Sequence, residues 1–256
     1  MKVLHAAWLA ALVPALWAQT TSVHDLIGAA RQRIESADLR ATGHLVAVEA
    51  SGQRISYPLT IKAHWFPGIL RVVVDLGQPP NTQHDLREHL LLDMRPDGDD
   101  SIRIAKPGDA VARTLPFEKW NTGSLGPGFS YEDFIEQQYF WPGQSAEGEE
   151  KFGARECEVV KSTPGPSDRT HLSEVKTWFD PSIAFPVYEE KTVKETGAVK
   201  EFTYYGIRHE EGVWSAHQIE AKTRGQSGST LLIIDHGTVK AHLGINDFNP
   251  AQLTHF

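Results

Sequence analysis

The side chains best equipped for chemistry in this chain are twelve histidines, a single cysteine and one glycine-framed serine. His84, Glu88 and His89 would share part of a helical turn, and imidazole with carboxylate is the raw material of a zinc site. The strand-like Leu90-Leu91-Leu92 follows at once and denies that helix the length two facing ligands need. His209 and His217 stand at opposite ends of a hairpin around Gly212, so the expectation is no metal. Gly225-Gln226-Ser227-Gly228-Ser229 lacks the last glycine of a nucleophile elbow and falls between two strand patterns. A hairpin turn is expected there, not a catalytic serine. Cys157 alternates with Val159 and reads as an inert buried thiol.

The carboxylates are plentiful but unpaired by spacing. Glu132 and Asp133 suit the positive first turn of a helix, and Glu149-Glu150, Glu189-Glu190 and Glu210-Glu211 read as solvated loops or outward strand positions. Gly126-Pro127-Gly128 lacks the third glycine of a dinucleotide fingerprint, and no phosphate-binding Walker sequence is present. The expectation is a chain with no catalytic residues and no cofactor. A formal charge of −8 at pH 7 disfavours nucleic acid, because phosphates are bound by a basic field. The same balance disfavours docking to anionic lipid through a basic patch.

The aromatics carry more weight. Ser130 suits an N-cap with Asp133 three residues on, and Phe129 and Phe134 fall at the two positions of a hydrophobic staple. The spacing predicts a capped helix continuing through Ile135, Tyr139, Phe140 and Trp141. So aromatic a stretch needs something apolar to lie against: the protein's own core or a cargo. The candidate lining of an apolar cavity, with its lid, is Tyr57, Trp65, Leu70, Val72, Phe129, Tyr131, Phe134, Trp178 and Trp214.

These residues must be positioned by sheet. Ser22 to about Ala37 predicts an amphipathic helix, capped by Ser22 and Asp25, with Leu26, Ala30 and Ile34 on one face. Arg54 to Trp65 then alternates strictly: Ile55, Tyr57, Leu59, Ile61, Ala63 and Trp65 face one side, polar residues the other. Pro58 cannot donate to a ladder and predicts an exposed edge there. Ser51-Gly52 marks a hairpin from a preceding strand around residues 43–50, and similar alternations follow around residues 70–76, 90–94, 102–104, 157–160, 175–179, 185–190, 199–207, 213–223, 231–235 and 239–245. Turns such as Asp97-Gly98, Glu211-Gly212 and His236-Gly237 are too short for parallel crossovers. Roughly ten antiparallel strands and two helices are expected, as a mainly β chain with a large curved sheet or incomplete barrel covered by helices. Such a sheet cannot fill its inner apolar face alone. Helices either plug it or leave a ligand cavity.

Residues 1–18 read as an export signal, with Lys2 before an apolar run from Val3 to Trp17 and Ala18 at the cleavage site. The remaining 19–256, about 238 residues without low-complexity tracts, read as one exported, periplasmic domain. One cysteine excludes an intrachain disulfide, so apolar burial must supply the stability.

At Phe129-Ser130-Tyr131-Glu132-Asp133-Phe134 the sequence resembles the LolA/LolB-like family of outer-membrane lipoprotein-sorting proteins, in its broader branch. The likeness continues in order through Arg155-Glu156-Cys157-Glu158-Val159, Pro164, Trp178-Phe179-Asp180, Phe185-Pro186-Val187-Tyr188-Glu189, Gly212-Val213-Trp214 and Asn246-Asp247-Phe248. This resemblance implies an incomplete, strongly curved barrel with a helical lid, for which the Phe129 segment is the candidate. It implies carriage of lipid or lipoprotein acyl chains toward the outer membrane, with a membrane-associated donor or acceptor protein as partner. A lipid or lipoprotein sensor of the same fold, and a secreted hydrolase or metal enzyme using the histidines, are the competing readings.

Overall fold

The computed structural model describes residues 22–80, 82, 84–122 and 125–256, and the export signal expected over residues 1–18 lies outside the described residues. Helix α1 (Val23–Glu35) opens the fold. Ser22 and Asp25 form the expected capping box, and Leu26, Ile27, Ala30 and Ile34 are its buried face. Five strands follow: β1 (Asp38–Val48), β2 (Arg54–Phe66), β3 (Ile69–Leu76), β4 (Glu88–Met94) and β5 (Ser101–Ala105). After the short β6 (Arg113–Thr114) come β7 (Gly143–Phe152), β8 (Arg155–Thr163), β9 (Leu172–Asp180), β10 (Phe185–Val193) and β11 (Val199–Tyr205). The last are β12 (Arg208–Glu210), β13 (Val213–Ser215), β14 (Gln218–Thr223) and β15 (Ser229–Val239).

Thirteen of these form one sheet in the order β6-β5-β4-β3-β2-β1-β15-β14-β11-β10-β9-β8-β7. Its ladders are antiparallel, and β6 and β7 do not pair with each other, so the sheet is not closed into a barrel. The sheet curls, nonetheless. Tyr131 Oη donates to Glu88 Oε2 on β4 at 2.7 Å, and Asp133, two residues on, meets Lys200 on β11. In a flat sheet β4 and β11, six strands apart, would be about 28 Å from each other. One turn of chain bridges them only because the strands wrap around it. The main core lies on the resulting inner face, which α1 and residues 117–122 and 125–140 cover.

Three expectations are corrected. The segment after Ser130 is not an α-helix but two 3₁₀ turns, Tyr131–Phe134 and Gln137–Phe140. Asp133 does receive the Ser130 backbone N–H (2.9 Å) and hydroxyl (2.7 Å), but its carboxylate is also claimed by lysines from the sheet. Pinning from the sheet at one turn and from α1 at the next leaves no room for a regular helix. Second, β2 is interior, between β1 and β3. Its ladder to β3 starts only at Leu59↔Leu76, so Pro58 sits just past the end of that pairing, where its missing N–H costs nothing. Third, no turn occurs at His236-Gly237. β15 continues through, with a register shift at Asp235, and pairs Gly237 with Ala41, while residues after it form 3₁₀ turns instead of a strand. Leu243, Phe248 and Leu253 of that tail pack on the outer face over Val73, Leu91 and Ala105.

Candidate functional site

The curl leaves a cavity of about 690 Å³ on the inner face. Its floor is apolar and comes from alternate residues of neighbouring strands: Leu39 and Ala41 of β1, Ile61 and Ala63 of β2, Leu70 and Val72 of β3, Leu232 and Ile234 of β15. Alternation delivers this: each strand presents every second side chain inward, and here those are small or aliphatic. Phe129, Phe134, Ile135, Phe185 and Phe202 form the facing wall. The exposed lining residues Arg40, Glu210, Glu211, Gly237 and Thr238 mark the mouth. Over it lies the β12–β13 ribbon, which pairs with no strand of the main sheet and contributes Arg208, Val213 and Trp214.

Five of the nine sequence-selected residues, Leu70, Val72, Phe129, Phe134 and Trp214, line this cavity. The Phe129 and Phe134 rings meet edge to face at 5.0 Å, the contact expected of a staple, although the turn they clamp is 3₁₀. The other four lie elsewhere. Tyr57 is half-buried against the main core, and Trp65 stacks on Phe140 at 6.0 Å. Tyr131 is buried and spends its hydroxyl on Glu88. Trp178 is on the opposite side of the sheet, packed with Cys157, Val159 and Val187, its indole N–H donating to Glu150 at 3.0 Å. Its parity explains this: Thr177 and Phe179 face inward on β9, so Trp178 must face out.

The charged groups behind the aromatic wall escaped sequence reasoning. Asp133, Glu189, Lys191 and Lys200 are all nearly inaccessible. Lys200 Nζ contacts Asp133 Oδ2, and Lys191 Nζ lies 3.5 Å from Asp133 Oδ1 and 4.0 Å from Glu189 Oε2. Tyr139 Oη (2.7 Å) and Gln138 Nε2 (3.1 Å) donate to Glu189 Oε1. Glu189 is thus not the outward residue the sequence predicts. Burial pushes the Asp133 carboxyl up, but the Lys200 and Lys191 ammoniums outweigh it and hold the group below its usual value. Lys191 is raised: burial works against its charge, and Asp133 and Glu189 overcome that. Lys191 and Lys200 stand directly opposite each other across β10 and β11, and that register, once known, demands an intervening carboxylate. Glu132 is likewise buried, accepting from the His171 backbone (3.0 Å), its Nδ1 (3.0 Å) and the Thr170 hydroxyl. It is an anchor for the loop before β9, not a dipole partner.

A second, polar groove of about 780 Å³ lies on the outer face, where His44, His89, His217 and His236 gather with Asp75 and Asp235. Among the described residues no three His, Cys, Asp or Glu side chains are close enough to hold a metal ion. The cavity, by contrast, combines apolar walls with an open mouth, which suits an apolar ligand.

The fold has close relatives in shape. An outer membrane lipoprotein-sorting protein domain, so described, from Vibrio parahaemolyticus superposes with a TM-score of 0.78 at 18% identity, covering 91% of this chain and 100% of that one. A DUF1329 family protein from Desulfovibrio piger gives 0.76 at 15% identity, covering 90% of this chain and 97% of that one. A LolA superfamily protein from Nitrosomonas europaea gives 0.63 at 11% identity, covering 90% and 98%. A comparison with curated protein sequences gave no match. The architecture is therefore LolA-like, and through residues 110–255, which match the model of a family described as "Uncharacterized protein", the chain belongs to that family.

Proposed function

We propose that this protein is a non-enzymatic periplasmic carrier that shelters an acyl chain of a lipid or lipoprotein in the inner-face cavity, for sorting toward the outer membrane. The observation that carries the reading is the apolar floor of small and aliphatic side chains beneath an open mouth. Removing a hydrocarbon chain from water is worth about 0.8 kcal/mol per methylene, so a long chain gains on the order of 10 kcal/mol in such a site. Cargo of that kind does not cross an aqueous gap alone. The likeness to a domain described as lipoprotein-sorting supports the same reading. In it residues 1–18 direct export, residues 19–256 act as one lipid-binding domain, and a membrane-associated protein gives or receives the cargo.

The aromatic segment 129–134 is wall rather than lid, because buried ion pairs fasten it to β10 and β11. The β12–β13 ribbon is the better cover. It pairs only with itself, so opening it would break no ladder of the main sheet.

The test is titration with N-phenyl-1-naphthylamine, which fluoresces in apolar surroundings. Ala63→Phe fills the cavity from its floor, and melting curves check that the variant is folded. Saturable binding at one site, weakened about tenfold or more by Ala63→Phe, is expected. Absence of binding, or equal binding by the variant, would remove the proposal.

A further inference from the structure

Nine charged residues line the cavity, but Asp38 and Arg40 turn their side chains to the outer face, and the buried cations that remain, Arg33 and Lys191, are already engaged. Arg33 Nη2 sits 2.8 Å from Glu136 Oε2, and its guanidinium lies over the Phe185 ring at 5.0 Å. Lys191 is held by Asp133 and Glu189. Arg208 lies 3.2 Å from Glu210 in an exposed pair on the ribbon, and Arg40 faces Asp247 of the outer-face tail at 3.6 Å. On the acidic side Glu211 sits exposed at the ribbon turn, whereas Asp38 faces outward, accepting the backbone N–H groups of His242 and Leu243 and contacting His64.

Resting on the carrier reading, we infer that the cavity selects cargo by charge: Glu136 masks Arg33, so the site takes acyl chains with uncharged, ester- or amide-linked ends and rejects free fatty acids and other anionic amphiphiles. The physical reason is desolvation. A carboxylate entering a partly buried site must exchange its water for a cation, and unit charges a few ångströms apart near a protein surface interact by about 4 kcal/mol. Here the buried cations Arg33 and Lys191 would first have to leave carboxylates that already hold them, so the exchange brings little gain. An acyl ester or amide carries no such cost and keeps the whole benefit of burying its chain. Glu136 is the residue that sets this preference, because Arg33 is the most buried cation whose partner comes from the wall alone and whose side chain also reaches an aromatic ring of the cavity.

The experiment is displacement of N-phenyl-1-naphthylamine from the full mature chain at pH 8 by two amphiphiles of equal length, a monoacylglycerol and its fatty acid. The monoacylglycerol should displace the probe at about tenfold lower concentration. Glu136→Gln, which leaves the guanidinium without its carboxylate, should improve fatty-acid displacement about tenfold and leave the monoacylglycerol nearly unchanged. Adding Arg33→Gln to that variant should abolish the improvement. A wild-type protein that takes the fatty acid as well as the neutral lipid overturns the inference while leaving the carrier reading intact. So does a folded Glu136→Gln protein without the gain. If neither amphiphile displaces the probe, the carrier reading itself falls and takes this inference with it.

Discussion

Lys200 reaches Asp133 across the inner face, and through that contact β11 holds the turn that forms the aromatic wall of the cavity. Both side chains are buried, with Lys191 on the far side of the same carboxylate. Removing one member of a buried pair strands the other in a poorly solvating interior, which costs about 3–5 kcal/mol. Lys200→Met should therefore lower stability by about that amount in urea unfolding, and Asp133→Asn by a comparable amount. A double replacement, Asp133→Leu with Lys200→Met, should lose less than the two single losses added together. Additive losses would show that the pair does not interact.

The wall is also set by a glycine. Gly128 has φ +76°, and a Cβ there would lie 2.5 Å from the Lys222 Cα on β14. Gly128→Ala should cost about 1–2 kcal/mol for the left-handed backbone, plus the displacement of the loop from β14. Thermal unfolding checks this, and an unchanged melting temperature would contradict the tight approach.

Asp100 should give the fold a distinct pH dependence. Burial pushes its carboxyl up to about 7, against the lowering effect of the Arg95 backbone N–H it accepts at 2.7 Å. Below about pH 4 the group is neutral in both folded and unfolded chains, so it imposes no pH-dependent penalty. Between there and about pH 7 only the unfolded chain ionises, so stability falls as pH rises, and above about 7 the loss is complete. The full effect is on the order of 4 kcal/mol at most. Urea midpoints at pH 5 and pH 8 should differ less in Asp100→Asn than in the wild type. An identical difference would mean that Asp100 titrates normally.

The ribbon's role as cover makes a kinetic prediction. Amides of residues 208–215 should exchange with deuterium faster than those of β11 and β14, because the ribbon pairs only with itself. A bound amphiphile should slow that exchange, since Val213 and Trp214 line the cavity. Exchange indifferent to ligand would assign the cover to another element.

What could be read from the sequence follows physical lines. Strict alternation in Arg54–Trp65 places its apolar set correctly: Leu59 and Ala63 are buried in the main core, and Tyr57, Ile61 and Trp65 pack against it. Ser22 and Asp25 mark the start of α1 because capping is a local interaction. The edge strand β7 gives no such signal, since Glu147, Glu149, Glu150 and Lys151 make it polar along its length, as suits an unpaired edge. Trp178 was legible in part: the alternation that puts Phe179 inside puts Trp178 outside. The Asp133 cluster was not legible, because Lys191 meets Lys200, and both meet Asp133, only through ladder register and the curl of the sheet. Long-range closure, not local pattern, creates both the buried charges and the hollow beside them.

The most direct measurement is native mass spectrometry of mature protein purified from an exporting host without added lipid. A single acyl lipid, its chain ester- or amide-linked, should accompany the wild-type chain and be missing from folded Ala63→Phe. A wild-type chain found only at its bare mass, and unable to take up lipid when offered it, would contradict a carrier built on the inner-face cavity.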